Sequence, residues 1–363
     1  MRVLLLGFGK IAYMPYMNLY LDALRDKENV TIELIYWDRD GKPDAEVPGQ
    51  ISKAYKFVAH LEEQLPFQKK LKFFARYRAF ALKVLKKNRY DRIIVLHTTP
   101  GLTLLDYLHW HYKGRYVLDF RDVSYEYIPV YRKLVAGLSR DAAFTLVSSN
   151  AFRKFLPSQG RVYTVHNYLE DSLNHTGLRS KTPRERDLIR VSFWGLVRQL
   201  DVNKAVINAL GNDSRFELHY YGRMQQDGRD MEAYARNQGY RNVFFHGAYM
   251  PEDRYEFAAE TDLIHNVYNL AYTMKNAMGN KYYDGIIFEI PQICTEGSHM
   301  GDVITEKQLG ISVDLGDARL ADRLWNYYQG LDWHAFQENC RIARDNVLSE
   351  QAETKGRLLK FFD

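Results

Sequence analysis

The run Asn276-Ala-Met-Gly-Asn-Lys-Tyr-Tyr-Asp284 leads through Gly-Ile-Ile-Phe-Glu-Ile into Pro291-Gln-Ile-Cys-Thr295. A polar opening with a glycine, a helical stretch, then a proline before a short apolar strand make one step of an α/β alternation. Outward from it the alternation continues. Strands are predicted at Ile189–Trp194, Phe216–Tyr221, Val243–His246 and Leu263–Val267 on one side, and at Ile311–Val313 on the other, with helices between. The first half of the chain writes the same pattern at Val3–Leu6, Val30–Tyr36, Ala54–Val58, Arg92–His97, Tyr116–Asp119, Ala143–Val147 and Arg161–Val165. Its longest helix is predicted from about Phe67 to Lys87. From about Glu170 to Arg190 the apolar signal lapses, which reads as a linker.

Short apolar runs separated by longer amphipathic stretches are the pattern of a parallel sheet covered by helices. Written twice at similar length, it predicts an α/β protein of two Rossmann-like parallel-sheet domains facing each other across a cleft. The domains are expected at 1–175 and 185–340, with 341–363 a terminal helix free to cross back to the first. Open α/β sheets bind ligands beyond the carboxyl ends of their strands, so the cleft is the expected site.

The 363 residues are 46% hydrophobic and 26% charged, values that exclude disorder, collagen-like repeats and coiled coil. No apolar run reaches the ~18 residues of a transmembrane helix. Cys294 and Cys340 are the only cysteines, too few for a disulfide framework or a cysteine-rich zinc site and in keeping with a reducing compartment. Met1-Arg-Val-Leu-Leu-Leu-Gly7 is too short for a signal-peptide core and reads as a first strand, so the expected location is cytoplasmic.

The net charge of +5 hides an asymmetry. Between Pro66 and Arg92 stand Lys69, Lys70, Lys72, Arg76, Arg78, Lys83, Lys86, Lys87, Arg89 and Arg92 against Asp91 alone, which is +9 and leaves −4 for the rest. At about 100° per residue, Lys69, Lys72, Arg76, Lys83 and Lys87 form one stripe, with Phe73, Tyr77, Phe80 and Val84 beside it. Phe67, Leu71, Phe74, Ala81 and Leu85 lie on a separate face. Cations flanked by aromatic residues suit an interfacial helix on an anionic membrane; a solvated lysine face over an ordinary core is the competing reading. No nucleic-acid-binding module is visible.

Two sets of residues carry chemistry. The first is Gly7-Phe-Gly9-Lys-Ile-Ala12, a GxGxxG/A-type turn after a strand, with Asp38 where a ribose partner would stand. It allows an NAD(P)-dependent oxidoreductase as an alternative, although such a turn also opens Rossmann-like domains in general. The second set is Gly195-Leu-Val-Arg198 with Lys204, then Tyr220-Tyr-Gly222, His246-Gly247, Thr261-Asp262-Leu263, Asn276 to Asp284, Pro291 to Thr295, and Gly301-Asp302-Val-Ile304.

In order and spacing this second set resembles the nucleotide-binding domain of the GT-B glycosyltransferases, particularly retaining family 4. The resemblance implies a transferase moving a sugar from a UDP- or GDP-linked donor to a hydroxyl of a glycan or lipid-linked glycan, as in bacterial capsule, exopolysaccharide or lipopolysaccharide assembly. It assigns the ribose to Asp284, the second acid of an E-x7-E motif, and places Asn276, instead of the usual first acid, near the donor sugar. Arg198 and Lys204 resemble the basic pair that holds the donor diphosphate, so no metal or other cofactor is expected. Gly195, Gly279, Lys281, Gly297 and Ser298 fall on the same donor-pocket motifs. For Lys281 and for the Gly297–Asp302 loop, a surface lysine and an ordinary βα loop are equally open readings.

On the first domain the resemblance is architectural. Leu118-Asp119-Phe-Arg121-Asp122 stands where the family often writes Asp-x-His-Asp, so Asp119 or Asp122 is expected to orient the acceptor hydroxyl, with Gly9, Lys10 and Arg121 lining its site. A structural ion-pair network is the other reading of Asp119, Arg121 and Asp122. His97 reads as a packing residue at a strand end. A non-catalytic glycan-binding scaffold of the same fold is a further alternative.

Overall fold

The computed structural model describes residues 1–61, 66–158, 160–178 and 188–363. The chain forms two compact units, Met1–His166 with Glu350–Asp363, and Asn167–Ser349.

The first unit holds strands β1 (Arg2–Leu6), β2 (Thr31–Asp38), β3 (Ile51–Val58), β4 (Arg92–Leu96), β5 (Tyr116–Phe120), β6 (Phe144–Val147) and β7 (Val162–Thr164). Its helices are α1 (Asn18–Leu24), α2 (Phe67–Lys87), α3 (Thr98–Thr103), α4 (Leu105–Tyr112) and α5 (Pro129–Asp141). The second unit holds β8 (Ile189–Trp194), β9 (Phe216–Tyr221), β10 (Val243–Gly247), β11 (Leu263–Asn266), β12 (Gln292–Thr295) and β13 (Gly310–Val313). Around them lie α6 (Leu200–Leu210), α7 (Gln226–Asn237), α8 (Arg254–Ala259), α9 (Tyr272–Lys275), α10 (Asn280–Phe288), α11 (His299–Glu306) and α12 (Leu320–Gln329). Helix α13 (Trp333–Phe361) starts in the second unit, and its residues from Glu350 onward belong to the first.

Both sheets are wholly parallel. Their orders are β3-β2-β1-β4-β5-β6-β7 and β10-β9-β8-β11-β12-β13, so each chain path starts in the middle and reverses direction between its first and fourth strands. The central strands are apolar on both faces because helices cover both. In the first unit Leu4, Leu6, Trp37 and Val95 pack under α2 and α4, while Val3, Leu5, Leu34 and Ile94 pack under α1 and the end of α13. Every predicted strand is present. Strand β3 begins earlier, at Ile51, because it is an edge strand whose exposed Lys53 and Lys56 break the apolar run by which strands are recognised.

The passage between units lies at His166/Asn167, ahead of the 175–185 expected from composition. Asn167–Leu178 is tied to the second unit: Gly177 N–H donates to Ile287 O (2.8 Å), Arg254 Nη2 to Ser172 Oγ (2.8 Å), and Tyr255 OH to Asp171 Oδ2 (2.7 Å). The predicted linker residues 179–187 lie outside the described residues. The end of α13 is held to the first unit by Thr354 Oγ1 donating to Thr164 O (2.7 Å) and Arg92 Nε donating to Phe361 O (2.8 Å), with Leu358 and Phe362 in the core.

Helix α2 differs from the helical-wheel reading in which face is buried. Tyr77, Ala81, Val84 and Leu85 enter the core together, and Leu71 is 49% exposed. The reason is Trp37, whose ring stacks on Tyr77 at 5.8 Å while Tyr77 OH donates to Gly7 O (2.6 Å). Lys69, Lys72, Arg76, Lys83 and Lys87 are exposed. Among the described residues no helix is long and apolar enough to cross a membrane.

Candidate functional site

In the second unit the fold brings the Asn276–Asp284 run against the end of β8. Gly279 caps α10, and Lys281 and Asp284, three apart, share a buried face. Trp194 Nε1 donates to Asp284 Oδ2 (2.8 Å), and Arg254 Nη1 stands 3.7 Å from Oδ1. Lys281 Nζ donates to Trp194 O (3.3 Å) and to Tyr268 OH, and sits 4.0 Å from the centre of the Phe193 ring. Burial is the main influence on Asp284 and pushes its carboxyl above the ordinary aspartate value, against Arg254, Trp194 and Lys281, which favour the charged form. A carboxylate and an ammonium thus lie under one tryptophan, with the aromatic side chains excluding water. Helix α10 approaches β12 closely because Gly285 has no side chain: a Cβ there would meet the Gln292 amide at 2.2 Å.

The other residues of the family-like set take varied places. Asn276 ends α9 and is buried. Gly297 has φ +75°, and Ser298 caps α11, its hydroxyl accepting Gly301 N–H (3.0 Å) and donating to Thr295 O (2.6 Å). Gly195 has φ +123°, and its carbonyl is so close to Gly222 that a Cβ on the latter would lie 1.6 Å from it. Arg198 is exposed. The amides of Gln199 and Leu200, at the start of α6, both donate to Asp227 Oδ2 (3.0 and 3.4 Å). Lys204 rests its ammonium 4.7 Å from the Tyr234 ring of α7, so it is engaged between helices and does not join the Lys281–Asp284 cluster.

In the first unit a cavity of about 820 Å³ opens at the carboxyl ends of β1, β2 and β4, with Gly9, Lys10, Arg39, His97, Asp122 and Tyr125 in its wall. Of the residues expected on the acceptor side, Asp122 is exposed there. Asp119 and Arg121 are not available. Asp119 has no exposed surface, and its oxygens accept Tyr20 OH (2.7 Å) and Arg121 Nε (2.6 Å). Arg121 is buried against it and over the Tyr16 ring, so this pair is a structural anchor of the β5 end. The Lys10 ammonium pairs with Asp40 and donates to Lys42 O (2.7 Å), so it organises the 40–43 loop.

Two cavity residues were not singled out by motif. Arg39 donates to Phe8 O and lies over the Phe8 and Trp37 rings at 5.0 and 4.9 Å. His97 has φ +93° and ψ 155°. No sequence signal marks Arg39 beyond its position after β2. His97 was visible at its strand end, but its backbone conformation was not.

The dinucleotide alternative finds its expected positions taken. Two short 3-10 turns, not a helix, follow β1, and the amides of Ile11 and Ala12 donate to Asp44 (3.1 and 3.0 Å), which already supplies the anion. Asp38 accepts from Gly41 N–H (2.9 Å) and Lys56 Nζ (3.4 Å). Among the described residues no three His, Cys, Asp or Glu side chains gather as a metal-binding group.

No protein-family model matches the sequence, and no curated protein matches it. Solved structures do. Sucrose-phosphate synthase from Thermosynechococcus elongatus is 12% identical over 99% of this chain and 98% of its own, with TM-score 0.70. Anabaena HepE in complex with UDP and glucose is 14% identical over 99% of both chains, with TM-score 0.65. WaaG, a glycosyltransferase involved in lipopolysaccharide biosynthesis, is 14% identical over 99% of both, with TM-score 0.61. At such identities the likeness speaks for architecture: the chain has the GT-B fold, two Rossmann-like parallel-sheet units of the kind found in these glycosyltransferases.

Proposed function

We propose that the protein is a glycosyltransferase that moves a sugar from a nucleotide-sugar donor to a hydroxyl of a glycan or lipid-linked glycan, in bacterial surface polysaccharide biosynthesis. The observation that carries the reading is the buried Trp194–Lys281–Asp284 cluster on the Asn276–Asp284 run, at the strand ends of a GT-B fold. Neighbours of that fold bind UDP and UDP-glucose. In this reading the second unit takes the donor. Asp284 serves the ribose, with Trp194 and Arg254 orienting its carboxylate, and Asn276 contacts the donor sugar. Arg198 meets the diphosphate, and Lys204 joins it by leaving the Tyr234 ring. As the glycosidic bond breaks, the bond electrons pass to the leaving diphosphate, the acceptor oxygen bonds to the anomeric carbon from the same face, and the hydroxyl proton goes to the diphosphate. Configuration is retained, and two cations balance the growing charge without a metal. Asp122 orients the acceptor.

The transferase reading predicts thermal stabilisation by UDP or GDP and none by NADH; a shift with NADH alone would overturn it. A panel of nucleotide sugars in the same assay identifies the donor. The exposed cations of α2 are proposed to meet an anionic membrane surface, placing the protein peripherally on the cytoplasmic face. Changing Lys72, Arg76 and Lys83 to Glu should abolish sedimentation with phosphatidylserine-containing liposomes while leaving the melting temperature unchanged, since each side chain is exposed. Binding that survives the triple change makes the stripe a solvated face.

A further inference from the structure

His97 leaves β4 at the point where the first sheet reverses its order, across from the Gly7–Lys10 turn that leaves β1. Its φ of +93° with ψ 155° belongs to a region that glycine occupies at ease and side-chain-bearing residues rarely enter. Such a conformation persists only where neighbours impose it, and here they are on hand. His97 N–H donates to Asp119 O (2.9 Å), and the following residue, Thr98, is wholly buried. The ring is fixed as well: Nδ1 accepts Thr99 N–H (3.3 Å), which leaves the ring proton on Nε2. The imidazole stands in the wall of the 820 Å³ cavity together with Arg39; desolvation of the ring, helped by the Arg39 charge, holds His97 neutral, with a pKa lowered to about 4. A packing histidine needs none of this strain, because a glycine would relieve it.

We infer that His97 is a substrate-contacting residue, whose Nε2–H donates to a hydroxyl oxygen of the acceptor sugar in the first unit's cavity. The inference rests on reading that cavity as the acceptor site of a transferase. The ring stands in the cavity wall beside Arg39, and a neutral donor suits an uncharged hydroxyl, where an imidazolium would compete with Arg39. The aromatic side chains around it, Tyr13, Tyr16, Phe74 and Tyr125, supply faces against which a sugar ring can lie.

The test compares wild type with His97→Gly and His97→Asn. The donor is the radiolabelled sugar nucleotide chosen by thermal shift, the acceptor is a total glycan and lipid extract of the source cells, and label incorporation is the readout. His97→Gly should melt at the wild-type temperature or a few degrees above it, since strain relief offsets the lost ring. It should keep the full UDP-induced shift and lose about 10- to 100-fold in transfer, the effect of leaving one buried partner unsatisfied. His97→Asn, which tolerates positive φ and keeps an N–H donor, should recover part of that loss. Wild-type transfer by His97→Gly, or a melting temperature lowered by several degrees, overturns the inference. Failure of UDP to stabilise the wild type, or absence of wild-type incorporation, instead removes the transferase reading beneath it.

Discussion

The two units share strand order, parallel sense and the place where the order reverses, yet what stands at that place differs. In the first unit the ends of β1 and β4 border an open cavity, and the polar groups beside it are half-committed to holding loops: Lys10 to the 40–43 loop, Asp44 to the amides after β1. In the second, the end of β8 closes over buried charge, with Trp194 bonded to both Asp284 and Lys281. One topology thus offers an accessible concavity in one copy and a preorganised electrostatic cluster in the other. The backbone decides where a site can be; the side chains at the strand ends decide what it can do.

The glycines that follow the strands break this comparison most sharply. Gly222→Ala is expected to cost more than about 4 kcal/mol, because its φ of +143° and the Gly195 carbonyl 1.6 Å from a Cβ both forbid a side chain. Thermal melting should show the second unit lost. Gly9→Ala, with nothing within 4 Å of the new Cβ, should change stability by under about 0.5 kcal/mol. A stable Gly222→Ala would mean that the β8 and β9 loops are not locked together.

Removal of the acid sharpens the same contrast. Asp284→Ala leaves the Trp194 indole and two buried cations without their anion and should lose about 3–5 kcal/mol. Asp122→Ala, at an exposed cavity wall, should cost no more than about 1 kcal/mol, the most that an interaction of an exposed carboxylate ordinarily contributes. Equal losses in the two variants would erase the distinction between buried cluster and open wall.

A smaller effect follows from acid. His265, fully buried in β11 with Nε2 bonded to Asn203 Oδ1 (2.8 Å), has its pKa lowered to about 3 by burial. The unfolded chain takes up a proton near pH 6.5 that the folded protein refuses, so stability is complete above that value and is lost as pH falls toward the folded pKa. The slope approaches about 1.4 kcal/mol per pH unit for this residue. His219, also in the second unit, is lowered to about 4 and adds to it. His97 makes the same kind of contribution in the first unit, one histidine against two, so hydrogen exchange between pH 7 and 5 should show the second unit losing more protection than the first, and His265→Asn should flatten the dependence.

Much of the architecture was legible because buried parallel strands are written as runs such as Val3-Leu-Leu-Leu6 and Ile93-Ile-Val-Leu96, whose two-sided burial leaves no other reading. The edge strand β3 was legible only in its second half, since lysines on its open side interrupt the pattern. Asn276 to Asp284 was recognisable by spacing, and the chain does bring Lys281 and Asp284 together on one helix face, as three-residue separation requires. Asp119 and Arg121 show the opposite case. They left two readings open, acceptor-facing residues or a structural ion-pair network, and the choice between them came from Tyr20, distant in sequence, which arrives on α1 and seals the carboxylate beside Arg121.

The sequence by itself determined two βα series, their parallel sheets and the basic face of α2, because periodicity and local charge are properties of neighbours along the chain. The tertiary structure alone decided that Tyr77 and Val84 turn inward, that Asp119 is an anchor, that Lys204 rests on Tyr234, and that His97 is held in a glycine-like conformation. Each of these depends on a partner brought from another element, and no local pattern records which polar group a distant residue will cover.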